Sequence, residues 1–270
     1  LQAGGVAGSV PRPANATPWS KRAPRRFADL PEATRHAPFG LAGAKEQSVI
    51  KAILFDLDET LILRSGAIRA FIKDQYHRFA HELGGIEEAQ YTSRFLDMEK
   101  NGVIGKDVVY PAFVKELGLT GVSSDALLED YRARYADFAS PSPGAVETVR
   151  ALHETGVKTG VLTNGNTRVQ NAKIDSIGMR GFLDVVVISE AVGLKKPDPA
   201  IFALAVSDLG VDARSTLFVG DNPEVDIVGA AAAGLQTAWF RNSATWPDGL
   251  LPRADVDIDR VDEVLHYPGK

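Results

Sequence analysis

From residue 50 onward the sequence predicts an α/β fold: a doubly wound parallel-sheet (Rossmann-like) core carrying an inserted α-helical cap domain. Three observations predict it. Short apolar runs alternate with helical patterns, the signature of strand–helix units that build a parallel sheet. The runs are apolar on both faces at their centres, as strands covered by helices on both sides require. One interval, residues 66–138, breaks the alternation, with no convincing strand but repeated helical periodicity.

Taken in order, the first strand is Ala52 to Phe55, an apolar run ending in Asp56. The insert follows, with periodic apolar sets such as Ile68, Phe71, Ile72, Phe79 and Leu127, Leu128, Tyr131, Tyr135. About 70 residues is too long for a simple crossover and suits a small bundle. Its hinges are placed near Arg64 to Gly66 and Ala139 to Pro143. Beyond it come a helix from Pro143 to Glu154, a strand from Lys158 to Leu162, a helix from Arg168 to Ser176, and a strand from Val185 to Ile188. A helix opened by proline then spans Pro199 to Leu209. The strand Leu217 to Val219, the helix Glu224 to Ala233, the strand Thr237 to Phe240 and a short edge strand at Val256 to Ile258 complete the core. The domain reading is therefore a core of residues 49–65 and 139–270 with a cap at 66–138.

Residues 1–48 are rich in Pro, Ala, Gly and Arg and show no sustained period, so they are read as a disordered or non-native extension. The chain begins without Met, and translation starting at Val49 is one expectation; KRAPRR as a targeting or nucleic-acid patch is the functional alternative. These 48 residues hold seven Lys or Arg against three acids, +4, so the total of −5 leaves −9 on the rest. An acidic body argues against nucleic acid as partner, because phosphate-backbone binding needs a basic face. No apolar run approaches the roughly 18 residues of a membrane span. Cysteine is absent, which excludes disulfides and thiolate zinc sites and fits a cytoplasmic location. The oligomeric expectation is a monomer or homodimer.

Asp56 and Asp58 sit one residue apart at the carboxyl end of a buried strand, where ligands bind in open α/β sheets. Spacing alone carries no weight, since ADVDIDR repeats it at Asp255, Asp257 and Asp259, read as a solvated edge segment. Three more polar clusters reach the same sheet edge: Thr163 and Asn164 in VLTNG, Lys196 in GLKKPDPAIF, and Asp221 with Asp226 in LFVGDNPEVD. Each has a bland alternative. Thr163 and Asn164 could cap the next helix, Asp221 and Asn222 could form a turn, and Lys196 could be a solvated surface lysine. Convergence favours chemistry. Clustered carboxylates form a hard-oxygen cage suited to Mg²⁺, and Lys196 with Thr163 and helix-start amides can hold phosphoryl oxygens.

The motifs DLDET, TNG, KKPDP and GDNPEVD, in this order, resemble those of the haloacid dehalogenase superfamily, phosphatase branch with a helical cap after the first strand. The resemblance implies a Mg²⁺-dependent phosphatase of a small phosphorylated metabolite, acting through an aspartyl-phosphate. It implies that Asp56 is the nucleophile and Asp58 the general acid and base. Thr163, Asn164 and Lys196 bind phosphate; Asp56, Asp58 (through its carbonyl) and Asp221 hold the metal; Asp226 and Thr60 support. Cap-flanking blocks lean toward pyrimidine 5′-nucleotidases and N-acylneuraminate 9-phosphatases, with phosphoglycolate and phosphosugar phosphatases close behind. Alternatives are a haloacid dehalogenase, which lacks the second aspartate, a phosphomutase, and a silent binding protein on the same scaffold. His77 and His81 are read as solvated or substrate-lining. Most cap aromatics are read as core, with one or two facing the crevice.

Overall fold

A computed structural model describes residues 48–242 and 244–267. The expectation of a disordered or non-native extension concerns, for residues 1–47, chain outside the described residues.

The core is one six-stranded, all-parallel sheet in the order β3-β2-β1-β4-β5-β6. The strands are β1 (Ala52–Phe55), β2 (Lys158–Thr163), β3 (Val185–Ile188), β4 (Thr216–Gly220), β5 (Gln236–Phe240) and β6 (Val256–Ile258). The chain steps outward from β1 to β3, then returns to lay β4 on the other side of β1. That reversal opens a crevice between the carboxyl ends of β1 and β4, the ligand position of doubly wound sheets.

Every residue of β1 is fully buried. Its alternation serves two layers: Ile53 and Phe55 join the apolar cluster on one face, Ala52 and Leu54 that on the other. The first layer packs Val149 and Leu152 of one helix (Ala145–Glu154), Ile174 of another (Thr167–Ser176) and Val264 near the C-terminus. The second packs Ile201, Phe202 and Ala205 of the helix Pro199–Leu209. The first of these helices begins at Ala145, two residues later than expected. Gly144 at φ +75° ends the Pro143 turn before helical geometry can start.

Between β1 and these helices lies the insert. Numbering helices in chain order, it holds α1 (Arg64–Arg78), α2 (Glu88–Glu99), α3 (Lys106–Glu116) and α4 (Ser124–Arg134), closing with a 3₁₀ turn at Tyr135–Phe138. The core helices are then α5 (Ala145–Glu154), α6 (Thr167–Ser176), the one-turn α7 (Ser189–Val192), α8 (Pro199–Leu209) and α9 (Gly229–Ala232). Phe71, Tyr91, Phe95, Tyr110 and Phe113 fill the insert's own apolar cluster, which also takes in Val169 of α6. Helix α1 starts at Arg64, inside the segment expected to hinge, because Arg64 is fixed by a buried ion pair with Glu99 of α2. The chain leaves and re-enters the core through a narrow neck. Leu63 N donates to Ser140 O (3.0 Å), Ser142 N to Leu61 O (2.9 Å), and Ile62 bridges Pro141 antiparallel.

Candidate active site

β1 delivers Asp56 to the crevice because the strand is gripped on both sides; Asp56 N itself donates to Val219 O of β4 (2.8 Å). Its carboxylate is buried and accepts from Lys196 Nζ (2.5 Å), which also donates to Asp226 Oδ1 (2.6 Å). Carboxylate oxygens of Asp56, Asp221 and Asp226 all lie within 4.8 Å of one another. Burial pushes the Asp56 carboxyl up to about 7, with Lys196 pulling it down and Asp226 raising it. Burial, then the charges of Asp56 and Asp226, pushes Asp221 up to about 8. Three hard-oxygen acids facing one lysine leave two negative charges without a counterion. Such a set fits a divalent hard cation, which would restore both to the ionised state.

Asp226 reaches this cluster because of what precedes it. Asn222 caps the turn by accepting from Glu224 N (3.1 Å) and Val225 N (3.0 Å), and its own N–H donates to Asp226 Oδ2 (3.0 Å). The turn Pro223–Val228 is wide, with Ile227 N reaching back to Asn222 O. Gly220 makes room: a Cβ there would lie 2.6 Å from the Asp226 side chain. Asp226, expected as a support, thus stands in the cluster itself. Trp239 of β5 donates to Asp221 O (2.8 Å), fixing the loop after β4.

Asp58 is held apart. Lys173 Nζ donates to both its oxygens (2.5 and 2.7 Å), and Gln170 Nε2 donates to Oδ2 (2.9 Å). Burial alone would raise this carboxyl, but Lys173 and then Arg64 hold it below the usual carboxylate range. The carboxylate of Asp58 is therefore turned toward α6, away from the three-acid cluster.

Thr163 and Asn164 sit at the end of β2, but neither caps α6. That role falls to Asn166, whose Oδ1 accepts from Val169 N (3.2 Å). Thr163 Oγ1 is buried and accepts from Gln170 Nε2 (2.7 Å). The Asn164 side chain clasps the backbone of Lys196 both ways, accepting from its N–H (2.9 Å) and donating to its carbonyl (3.0 Å). Lys196 is 3% exposed, so the surface-lysine reading is excluded. Thr60 is fully buried in a turn closed by Leu61 and Ile62 N–H groups on Leu57 O. Its hydroxyl has no hydrogen-bond partner among the described residues, so it steadies the turn by packing.

Lys173, Gln170 and Arg64 were not singled out from sequence. A signal existed: Val169 and Ile174 mark the inward face of α6, and Gln170 and Lys173 fall on it. A cavity of about 340 Å³ opens from Asp58 toward the insert, lined among others by Arg64, Lys106, Tyr131 and Tyr135. Tyr131 and Tyr135 are stacked, 5.0 Å between centroids, and are the cap aromatics that face this crevice. His77 and His81 are exposed, and His77 pairs with Glu88 (3.0 Å). At the sheet's edge, Asp255 accepts from Thr237 and Asp259 from Arg241, structural duties far in sequence from the site.

Residues 50–234 match the haloacid dehalogenase-like hydrolase family. The pyrimidine 5′-nucleotidase YjjG of Escherichia coli (strain K12) is 32% identical over 219 residues, covering 79% of this chain and 96% of that one. A haloacid dehalogenase superfamily phosphatase from Thermococcus onnurineus superposes with a TM-score of 0.61 at 27% identity, covering 81% of this chain and 99% of that one. An L-2-haloacid dehalogenase does so with a TM-score of 0.60 at 28% identity, covering 82% and 99%. Overall shape therefore does not separate the two chemistries, and the side chains must. The chain belongs to the haloacid dehalogenase-like hydrolase family.

Proposed function

We propose that this protein is a Mg²⁺-dependent phosphatase of a small phosphorylated metabolite, with the helical insert (66–138) acting as a cap over a core of 49–65 and 139–270. One observation carries the reading. A second acid, Asp58, stands beside the Asp56–Asp221–Asp226 cluster with its own lysine, which breaking a phosphomonoester needs and displacing halide from carbon does not. Relatives matched by sequence point the same way, being named as a nucleotidase and as phosphatases of sugar phosphates.

In this reading Asp56, Asp221 and Asp226 would hold Mg²⁺, with the Asp58 backbone carbonyl as a further ligand. When bound, the cation offsets the acids' charge and lets an anionic phosphoryl group approach. Lys196, kept protonated by Asp226 and Asp56 against the cost of burial, stands at the phosphoryl group; Thr163 and the Asn164 amide line the same edge. An Asp56 oxygen attacks phosphorus and the P–O bond to the alcohol breaks, giving an aspartyl-phosphate. Asp58 gives its proton to the departing oxygen. Water then attacks phosphorus, Asp58 takes the water's proton, and phosphate leaves with Asp56 restored. Lys173 holds Asp58 ionised, the form this second step requires; the first step requires a proton on it, which a phosphoryl group entering as its monoanion can supply. The cysteine-free chain suits the reducing cytoplasm, where we place the reaction.

The test is phosphate release across nucleotides, sugar phosphates and phosphoglycolate. Asp56→Asn should lower turnover by about a thousandfold or more with the fold intact by circular dichroism, and EDTA should stop it until Mg²⁺ is restored. Retained activity in the variant, or metal-independent turnover, removes the reading.

A further inference from the structure

The leaving-group side of the cavity has a charge imbalance that the phosphoryl chemistry leaves unexplained. Glu99, at the end of α2 and 1% exposed, accepts from two cations through the same oxygen, Oε2: Arg64 Nη2 and Lys106 Nζ (2.8 Å). Among the described residues no other carboxylate lies within ion-pair distance, 4.0 Å, of either cation. The cavity as a whole is balanced, Arg64, Lys106, Arg132 and Lys173 standing against Asp58, Asp107, Glu190 and the Glu99 behind them, so the imbalance is local to Arg64 and Lys106, which share a single carboxylate. Those two buried cations carry one positive charge more than the carboxylate they share, in a chain whose body is otherwise acidic. Burying one without a counterion is costly.

The two cations are also set in place. Gly102, at φ +87°, presses its backbone on Arg64, where a Cβ would lie 2.9 Å from the guanidinium carbon. A side chain at this position would be strained by that conformation and would have to displace the guanidinium. Lys106 Nζ lies 5.9 Å from the ring centroids of Phe95 and Tyr131, and Tyr131 lines the cavity. Both cations come from the insert, α1 and α3, and both feel the charge of Asp58, the residue at the departing oxygen. Held donors with surplus charge, facing a cavity, are how proteins recognise carboxylates and phosphates.

We infer that the substrate is a phosphomonoester whose leaving group carries a second anionic group, a carboxylate or phosphate, bound between Arg64 and Lys106. The inference rests on the phosphatase reading and adds to it the class of leaving group.

The experiment compares kcat/KM on pairs that differ in that group alone: phosphoglycolate against ethylene glycol monophosphate for a carboxylate, and ribulose 1,5-bisphosphate against ribulose 5-phosphate for a phosphate. The wild-type protein should favour the anionic member of at least one pair by about tenfold or more, and which pair identifies the group. Lys106→Met should collapse that preference through KM, whereas Lys106→Arg should keep it. Parity in both pairs for the wild type overturns the inference whatever the variants do. So does an equal loss on both members in Lys106→Met, which would put Lys106 at the transferred phosphoryl group. Release from both members at equal rates sinks this inference alone. No release from any ester sinks the phosphatase reading and this inference together.

Discussion

At the residue scale, the site depends on which lysine each aspartate has. Asp56 shares Lys196 with Asp226, and Asp58 has Lys173 almost to itself. Replacing Lys173 with Met keeps the methylene packing and removes the charge that outweighs burial at Asp58. The expected outcome is a fall in kcat of about ten- to a hundredfold with KM changed less, because proton transfer in the second half-reaction suffers. Lys173→Arg should recover part of it. A Lys173→Met variant with wild-type kcat would show that the pair is structural only. Asp56, Asp58, Thr163, Lys196 and Asp221 were legible in the sequence because each lies at or just past the end of an apolar strand, or in the turn before a proline-opened helix. Strand ends in a parallel sheet all point at one edge. Lys173, Gln170 and Arg64 were hidden for the opposite reason. They lie within helices, where facing inward depends on what the helix packs against, and a polar side chain at such a place looks like surface.

At the scale of elements, the insert is organised around one polar side chain. Gln75 of α1 is fully buried; its amide donates to Leu127 O (2.9 Å) and Asp130 Oδ2 (2.8 Å), and its carbonyl accepts from Tyr91 (3.1 Å) and Tyr110 (3.0 Å). One residue thus ties α1 to α2, α3 and α4. Gln75→Leu would leave the two buried tyrosine hydroxyls without partners, at a cost of about 2–4 kcal/mol. Chemical denaturation checks this: a loss under about 0.5 kcal/mol would show that the bundle's aromatic packing alone sets its geometry. The helical character of the insert was readable from its 3.6-residue period. Its fastening was not, because Gln75, Arg64 and Glu99 meet across about 35–55 residues of sequence that no local pattern connects.

At the scale of the whole molecule, two buried acids tie stability to pH. The Asp56 and Asp221 carboxyls, ordinarily near 3.8, are raised to about 7 and about 8 in the folded protein. Between these values the folded state keeps protons that the unfolded chain has released. In the metal-free protein this contribution to stability is therefore present below about pH 4 and is lost as pH rises toward 8. In the proposed phosphatase a bound cation would take the protons' place. Millimolar Mg²⁺ should accordingly raise the melting temperature more at about pH 8.5 than at about pH 5.5. Differential scanning fluorimetry decides it, and equal shifts at both pH values would mean that the three acids are not the binding site.

The neck at Leu63 and Ser140 has a further consequence, for exchange between genes. The two points where the insert begins and ends are already hydrogen-bonded to each other across the neck. Whatever lies between them closes a loop whose entropic cost grows only logarithmically, by about 0.6 kcal/mol per doubling of length. The sheet would hardly register a shorter, longer or foreign passenger spliced at that seam. Arg64, Glu99 and Lys106 would travel with the passenger, while Asp56, Lys196 and Asp221 would stay behind.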